Sequence, residues 1–304
     1  MGERIGLAVS GGPDSLALLL LAHAALPGMV EAATVDHGLR PENADEAAMV
    51  ARLCEMLGVP HVTLKVEVGG GNLQDRARAA RYGALGGWAE GHGLAALLTA
   101  HHMDDQAETL LMRLNRGSGV RGLAGIRART TVPGNRLPLL RPLLGWRRAE
   151  LGALVAVAGL TPAADPSNFD ERFDRARMRR ALAGADWIAV SGLARSAALL
   201  AEADDAIVLA VGREFDEYVR VHGDGLAYAT SCAARPGANL IRAGVIQAVA
   251  KALGLPLDTG EAARMVASLV DGQPCNIGGL AARVAIKEGE AVWLFAPENP
   301  RRTG

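Results

Sequence analysis

The sequence predicts an α/β protein: a doubly wound, mostly parallel sheet, then a smaller, mostly helical domain that ends in a β-hairpin. Three observations predict it. In the first third, short apolar runs alternate with longer helical patterns; polar clusters follow those runs directly; and beyond about residue 185 helical periodicity takes over until two closing strand-like runs.

Residues 5–9, 30–35, 61–66 and 94–100 read as strands, and 14–26, 42–58 and 72–91 as the helices between them. Strands that alternate with helices pair in parallel, because parallel neighbours need crossover connections that cover both sheet faces. In such sheets ligands bind beyond the carboxyl ends of the strands. The polar clusters fall there: Ser10 to Ser15 after the first strand, Asp36 to Arg40 after the second, His101 to Glu108 after the fourth. A short apolar run at 141–144, a helix near 146–158 and a polar stretch at 161–180 follow. Helical patterns then occupy 197–219, 239–253 and 260–270, and strand-like runs at 281–286 and 291–295 flank a hairpin turn at 287–290. The expected boundary lies near Ala185, giving domains 1–185 and 186–304.

Half of the 304 residues are apolar, enough for a sizeable core, and the length fits a large domain plus a smaller one. The formal net charge is −1, so a nucleic-acid partner would have to be held by a local basic patch. Arginine supplies nearly all the basic charge; Lys65, Lys251 and Lys287 are the lysines. Cys54, Cys232 and Cys275 are far apart and form no C-x-x-C pair, which argues against a disulfide framework or a structural zinc site. A strand-like segment begins at Ile5 in place of a signal peptide, and the longest apolar run, 16–26 with His23 inside it, is too short to span a bilayer. The expectation is a soluble, cytoplasmic protein with no membrane partner.

The strongest motif is Ser10-Gly11-Gly12-Pro13-Asp14-Ser15 between a strand and a helix. Two glycines let the backbone turn tightly and aim N–H groups into an anion cradle, at the positive end of the following helix. Ser10 and Ser15 offer hydroxyls, and Asp14 suits Mg²⁺ bound against phosphate oxygens. The loop lacks the Gly-Lys-Ser/Thr ending of a Walker A motif. An ordinary turn with Asp14 as a cap is the plainer alternative. Asp36, past the second strand, suits a ribose or cation contact, or equally a capping turn. Among His101, His102, Asp104, Asp105 and Glu108, the acids three and four residues apart share a helix face. They raise the alternative of a dinuclear phosphoesterase, which would leave the anion cradle unexplained; a cap made by Asp104 or Asp105 fits better. Gly117 to Gly122 matches a dinucleotide fingerprint but follows a helix, so its glycines more plausibly end that helix. Arg172, Arg175 and Arg179 would share one helix face suited to phosphates or bases, or else form a solvated charged face.

The run Ser-Gly-Gly-x-Asp-Ser resembles the pyrophosphate loop of the N-type ATP pyrophosphatases, the PP-loop superfamily. Val35 to Glu42, Thr99 to Thr109 leading into Arg116 to Leu123, and Asp165 to Asn168 leading to Arg172, Phe173 and Arg175 to Arg180 narrow the resemblance to the tRNA(Ile)-lysidine synthetase family. Asn72 to Gln74, Arg81-Tyr82 and Arg141 to Leu144 also match, densely up to residue 180 and loosely after it. The resemblance implies a cytoplasmic ligase. It further implies that ATP, with Mg²⁺, adenylates the C2 carbonyl oxygen of the wobble cytidine in a CAU anticodon, and that the ε-amino group of free L-lysine displaces AMP to give lysidine. It implies pyrophosphate binding by Ser10, Gly11, Gly12, Pro13 and Ser15, Mg²⁺ at Asp14, and charge neutralisation by Arg116. It adds Asp36, His102, Asp105 and Glu108 to the catalytic set without separating their duties. It assigns tRNA(Ile) contact to Arg172, Arg175, Arg177 and Arg179 and to domain 186–304. Ala176 stands where the family carries Asn, and Met178 where it usually carries Ile. A homodimer is left open. The rivals are a tRNA thiolase, a non-catalytic nucleotide-binding module and the phosphoesterase.

Overall fold

The computed structural model describes residues 3–38, 42–66, 73–163, 174–230, 237–287 and 289–298. The chain forms two compact units, residues 1–201 and 202–304, divided inside a long helix.

The first unit carries a six-stranded sheet in the order β3-β2-β1-β4-β6-β5. Its strands are β1 (Ile5–Ala8), β2 (Val30–Asp36), β3 (His61–Lys65), β4 (Leu97–Leu98), β5 (Arg129–Thr131) and β6 (Pro138–Leu140). All neighbours pair in parallel except β5 and β6, which form an antiparallel edge. The order reverses at β1, flanked by β2 and β4, so the loops after β1 and β4 open onto a common crevice. Helix α1 (Pro13–Ala25) is apolar almost all round because it is buried in one layer with α2 (Glu42–Leu57) and α6 (Arg148–Val157). Leu7, Leu16, Leu19, Val50 and Leu151 fill that layer. Helix α3 (Leu73–Gly91) covers the opposite face through Tyr82, Leu85, Trp88 and Ala89. Burial on both faces explains why β1 and β4 read as apolar runs, whereas the edge strand β3 alternates polar and apolar residues. Helices α4 (Met103–Asn115), α5 (Val120–Leu123) and α7 (Asp174–Ala183) complete the unit with the first part of α8 (Val190–Tyr218).

The second unit is richer in strands than its sequence suggests. The expected hairpin is β10 (Leu280–Lys287) with β11 (Glu290–Pro297), in full antiparallel register from Leu280 opposite Pro297 to Lys287 opposite Glu290. The expected helices appear as the end of α8, α9 (Ala238–Ala252) and α10 (Thr259–Val270). Three strands were not anticipated: β7 (Val219–His222), β8 (Gly225–Ala229) and β9 (Cys275–Ile277). They complete an antiparallel sheet ordered β7-β8-β11-β10-β9. β7 begins where α8 stops, and β8 and β9 are short and poor in β-branched residues, so each is fixed by pairing and not by propensity. Tyr228, Ile246, Val249, Met265, Trp293 and Phe295 form the unit's own core.

Candidate active site

Pro13, Gly12 and Gly11 set the loop after β1. Proline occupies the first turn of α1, where its missing N–H costs nothing, and Gly12 is the N-cap. Gly11 has φ +86°, and a Cβ there would lie 3.2 Å from the Met49 side chain, so the position calls for glycine on two counts. Ser15 closes the loop: its hydroxyl donates to the Gly12 carbonyl at 2.9 Å and accepts the Ser10 N–H at 3.1 Å. The Ser10 hydroxyl lies 3.2 Å from the same oxygen. The loop is thus shaped before any ligand arrives, with the α1 amino end opening into it.

Asp14 faces the loop that follows β4. Its Oδ2 lies 3.5 Å from His102 Nε2, and its Oδ1 is buried with no hydrogen-bond partner. His102 is itself the N-cap of α4, the role expected of Asp104 or Asp105. Its Nδ1 accepts the Asp105 N–H at 3.3 Å, while its own N–H donates to Asp105 Oδ2 at 3.0 Å, a reciprocal capping box. Because Nδ1 accepts, the neutral ring carries its proton on Nε2, toward Asp14. Burial pulls the imidazole toward neutrality, but Asp14, Asp105 and Asp104 outweigh it and hold the pKa above the ordinary histidine value. Burial raises the Asp105 carboxyl against the opposing pull of His102 and Arg175.

The acids of α4 do not converge on a common point. Asp104 turns to the start of α6, accepting Arg147 Nε at 3.1 Å, Arg147 Nη2 at 3.0 Å and the Arg148 N–H at 2.8 Å. Asp105 and Glu108 turn to α7: Arg175 donates Nη2 to Asp105 at 2.6 Å and Nε to Glu108 at 2.8 Å. Arg179 Nε meets the other Glu108 oxygen at 2.8 Å. Of the four arginines expected to contact tRNA, Arg175 and Arg179 therefore dock α7 onto α4. Arg177 is exposed and pairs with Asp174, and Arg172 lies outside the described residues, as do Asp165 to Asn168. Arg116, the C-cap of α4, pairs with Asp174 at 2.8 Å, with both side chains mostly in solvent. Gly117, at φ +69°, ends the helix: its N–H bonds the Leu114 carbonyl at 3.0 Å and that of Ser118 the Arg113 carbonyl at 3.0 Å. Asp36 accepts the Gly38 N–H at 2.8 Å, the capping turn that was one of its two readings.

In one further set, Arg81, Tyr82 and Arg141 had no role in the sequence reading beyond matching stretches, and Arg78 had none. Around His101, which shares a hydrogen bond with the Thr99 hydroxyl at 3.0 Å, stand Arg141, Arg175, Arg81 and Arg78. Burial first, and those guanidiniums next, bring its pKa down to about 3. The Arg78 and Arg81 guanidiniums lie 5.0 and 5.2 Å from the Tyr82 ring centre. The Arg81-Tyr82 and Arg141 matches were the available signal; their convergence depends on α3, β4 and β6 meeting at one sheet edge.

Comparison with known proteins adds the context. A family described as PP-loop domain matches residues 1–185. A tRNA(Ile)-lysidine synthase of Novosphingobium aromaticivorans is 59% identical over 212 residues, 69% of this chain and 65% of that protein. The enzyme of the same name from Zymomonas mobilis is 40% identical over 307 residues, 99% of this chain and 91% of that one. Among solved structures, a U34-tRNA thiolase from Methanococcus maripaludis superimposes with a TM-score of 0.56 at 16% identity, covering 66% of this chain and 72% of that one, a likeness of fold.

Proposed function

The chain belongs to the tRNA(Ile)-lysidine synthase family, and from that premise we propose that it joins free lysine to the wobble cytidine of a CAU-bearing tRNA(Ile), consuming ATP. The observation that carries the reading is the Asp14 carboxylate, one oxygen buried and unpartnered, at the mouth of a preshaped anion loop. A buried acceptor without a donor costs about 1–3 kcal/mol unless a ligand completes it.

Ser10, Gly11, Gly12 and Ser15 hold the pyrophosphate portion of ATP through backbone N–H groups and hydroxyls. Mg²⁺ fits Asp14, since that ion takes one or two carboxylates plus phosphate oxygens, and when bound it neutralises phosphate charge. The cytidine C2 oxygen attacks the α-phosphorus and pyrophosphate leaves. The lysine ε-nitrogen then forms a bond to C2 as the bond to the adenylate oxygen breaks, releasing AMP. Neither step needs an enzyme nucleophile, so the residues act by position and charge. His102, its proton directed at Asp14, fixes that carboxylate, and Asp105 fixes His102. Arg116 neutralises the transferring adenylate; an exposed pair with Asp174 holds it weakly.

The test follows AMP release from α-labelled ATP with Mg²⁺, lysine and unmodified tRNA. Turnover should require both lysine and the tRNA, and Asp14→Asn should lower it at least about 100-fold. Turnover that needs a sulfur donor instead would move the chain to the thiolases.

A further inference from the structure

We propose that Arg116 and Arg177 form a binding site for a substrate phosphate, and that Asp174 is its built-in counter-ion, a carboxylate that the phosphate displaces. The inference rests on the function proposed above and names what frees Arg116 for it.

The first ground is convergence. Arg116 ends α4 and Arg177 stands on α7, yet both guanidiniums meet one carboxylate. Asp174 Oδ2 accepts Arg116 Nη2 at 2.8 Å, and its Oδ1 accepts Arg177 Nη2. The two non-bridging oxygens of a phosphodiester or an adenylate can be shared between two guanidiniums in the same way, since arginine takes carboxylate and phosphate alike. Asp174 therefore stands where an anionic ligand would.

The second ground is the contrast with neighbouring arginines. Arg175 and Arg179 hold Glu108, which is 2% exposed. Arg113 gives one nitrogen to the Gly122 and Gly125 carbonyls at 2.7 and 3.0 Å, which fixes the loop after α4. Those cations are committed to the fold. The side chains of Arg116, Asp174 and Arg177 are 61%, 51% and 60% exposed, so water and salt screen both pairs and little is lost when they part. An RNA phosphate also releases condensed counterions as it binds, a gain that Asp174 cannot offer. Two substrates bring a phosphate of this kind, the adenylate and the RNA backbone, and they are separable by measurement.

Asp174→Asn keeps the side-chain shape in the first turn of α7 and removes the charge. Direct binding of unmodified tRNA and steady-state AMP release are compared in parent and variant. Asp186→Asn, at an exposed acid between α7 and α8, is the control for net charge. Asp174→Asn should tighten the Kd for tRNA or lower the KM for ATP by about threefold, the size of an exposed ion pair. A gain in tRNA binding assigns the site to an RNA phosphate, and a gain in the KM for ATP assigns it to the adenylate. Adding Arg177→Ala should abolish the gain. Asp174 is half exposed, so the thermal midpoint should hold; Asp174→Ser repeats the measurement if the amide disturbs the helix start. No gain in either quantity overturns the proposal, as does a gain that Asp186→Asn matches or that survives Arg177→Ala. A parent enzyme that fails to turn over with lysine and tRNA removes the function proposed above; a parent that turns over, with a folded Asp174 variant that gains nothing, removes this proposal alone.

Discussion

His101 and His102 are neighbours in the loop after β4, yet their surroundings drive their imidazoles in opposite directions. His102 is held above its ordinary pKa by three carboxylates, so what it adds to stability is full below the unfolded pKa and lost as pH rises through the folded value. His101 is the reverse case: the folded protein keeps it neutral from 6.5 down to about 3, while the unfolded chain takes up a proton near 6.5. Between those limits the unfolded state binds more protons, so stability falls as pH falls, by up to about 1.4 kcal/mol per pH unit for this group. His101→Gln should flatten that limb. The difference between the unfolding curves of variant and parent, taken across pH 6.5 to 4, isolates the histidine from carboxylates that titrate in both; parallel curves would show that His101 titrates normally. At this scale Asp14 and the loop serines were legible because one contiguous motif carries them. The contacts of His101 were not, because its guanidinium neighbours stand on α3, α7 and the segment after β6.

At the scale of elements, the joint between α4 and α7 is made by charge. Glu108 is 2% exposed and receives both Arg175 and Arg179. Removing one partner of a buried ion pair costs about 3–5 kcal/mol, since the other charge is left without compensation. Glu108→Gln keeps the shape and removes the charge, and part of each guanidinium reaches solvent, so a loss nearer 2–3 kcal/mol is expected in chemical denaturation. Amide exchange along α7 should quicken by a comparable factor relative to α1, and unaltered α7 exchange would mean that other contacts dock the helix. The arginine stretch was legible as helical and basic, but not its partners, which lie 67 to 71 residues away in the chain. The central parallel strands β1 and β4 showed plainly because burial on both faces makes them apolar. The antiparallel edge did not, because β5 and β6 have three residues each and Pro138 begins the second.

For the whole molecule, 32 basic residues balance 33 acidic ones, so no long-range field draws in a polyanion. An RNA partner would be held by cations exposed at the surface, and the fold separates these from cations that hold its elements. Arg175 and Arg179 are bound to carboxylates, and Arg220 donates to the Asp216, Glu217 and Val219 carbonyls at the end of α8. Arg177 is different: it is 60% exposed, and its partner Asp174 lies three residues away on the surface, a pair worth little. If Arg177 meets an RNA phosphate, Arg177→Ala should weaken tRNA binding, leave the thermal midpoint in place, and reduce the slope of log affinity against log salt by about 0.7, the release expected for one single-strand phosphate contact. Arg179→Ala should instead lower the thermal midpoint, because it loosens Glu108. Equal salt slopes in the parent and Arg177→Ala would place the RNA contacts elsewhere on the surface. Charge counts alone could not make this distinction, since in sequence the two arginines stand two residues apart; it comes from the helix turning one toward α4 and the other toward solvent.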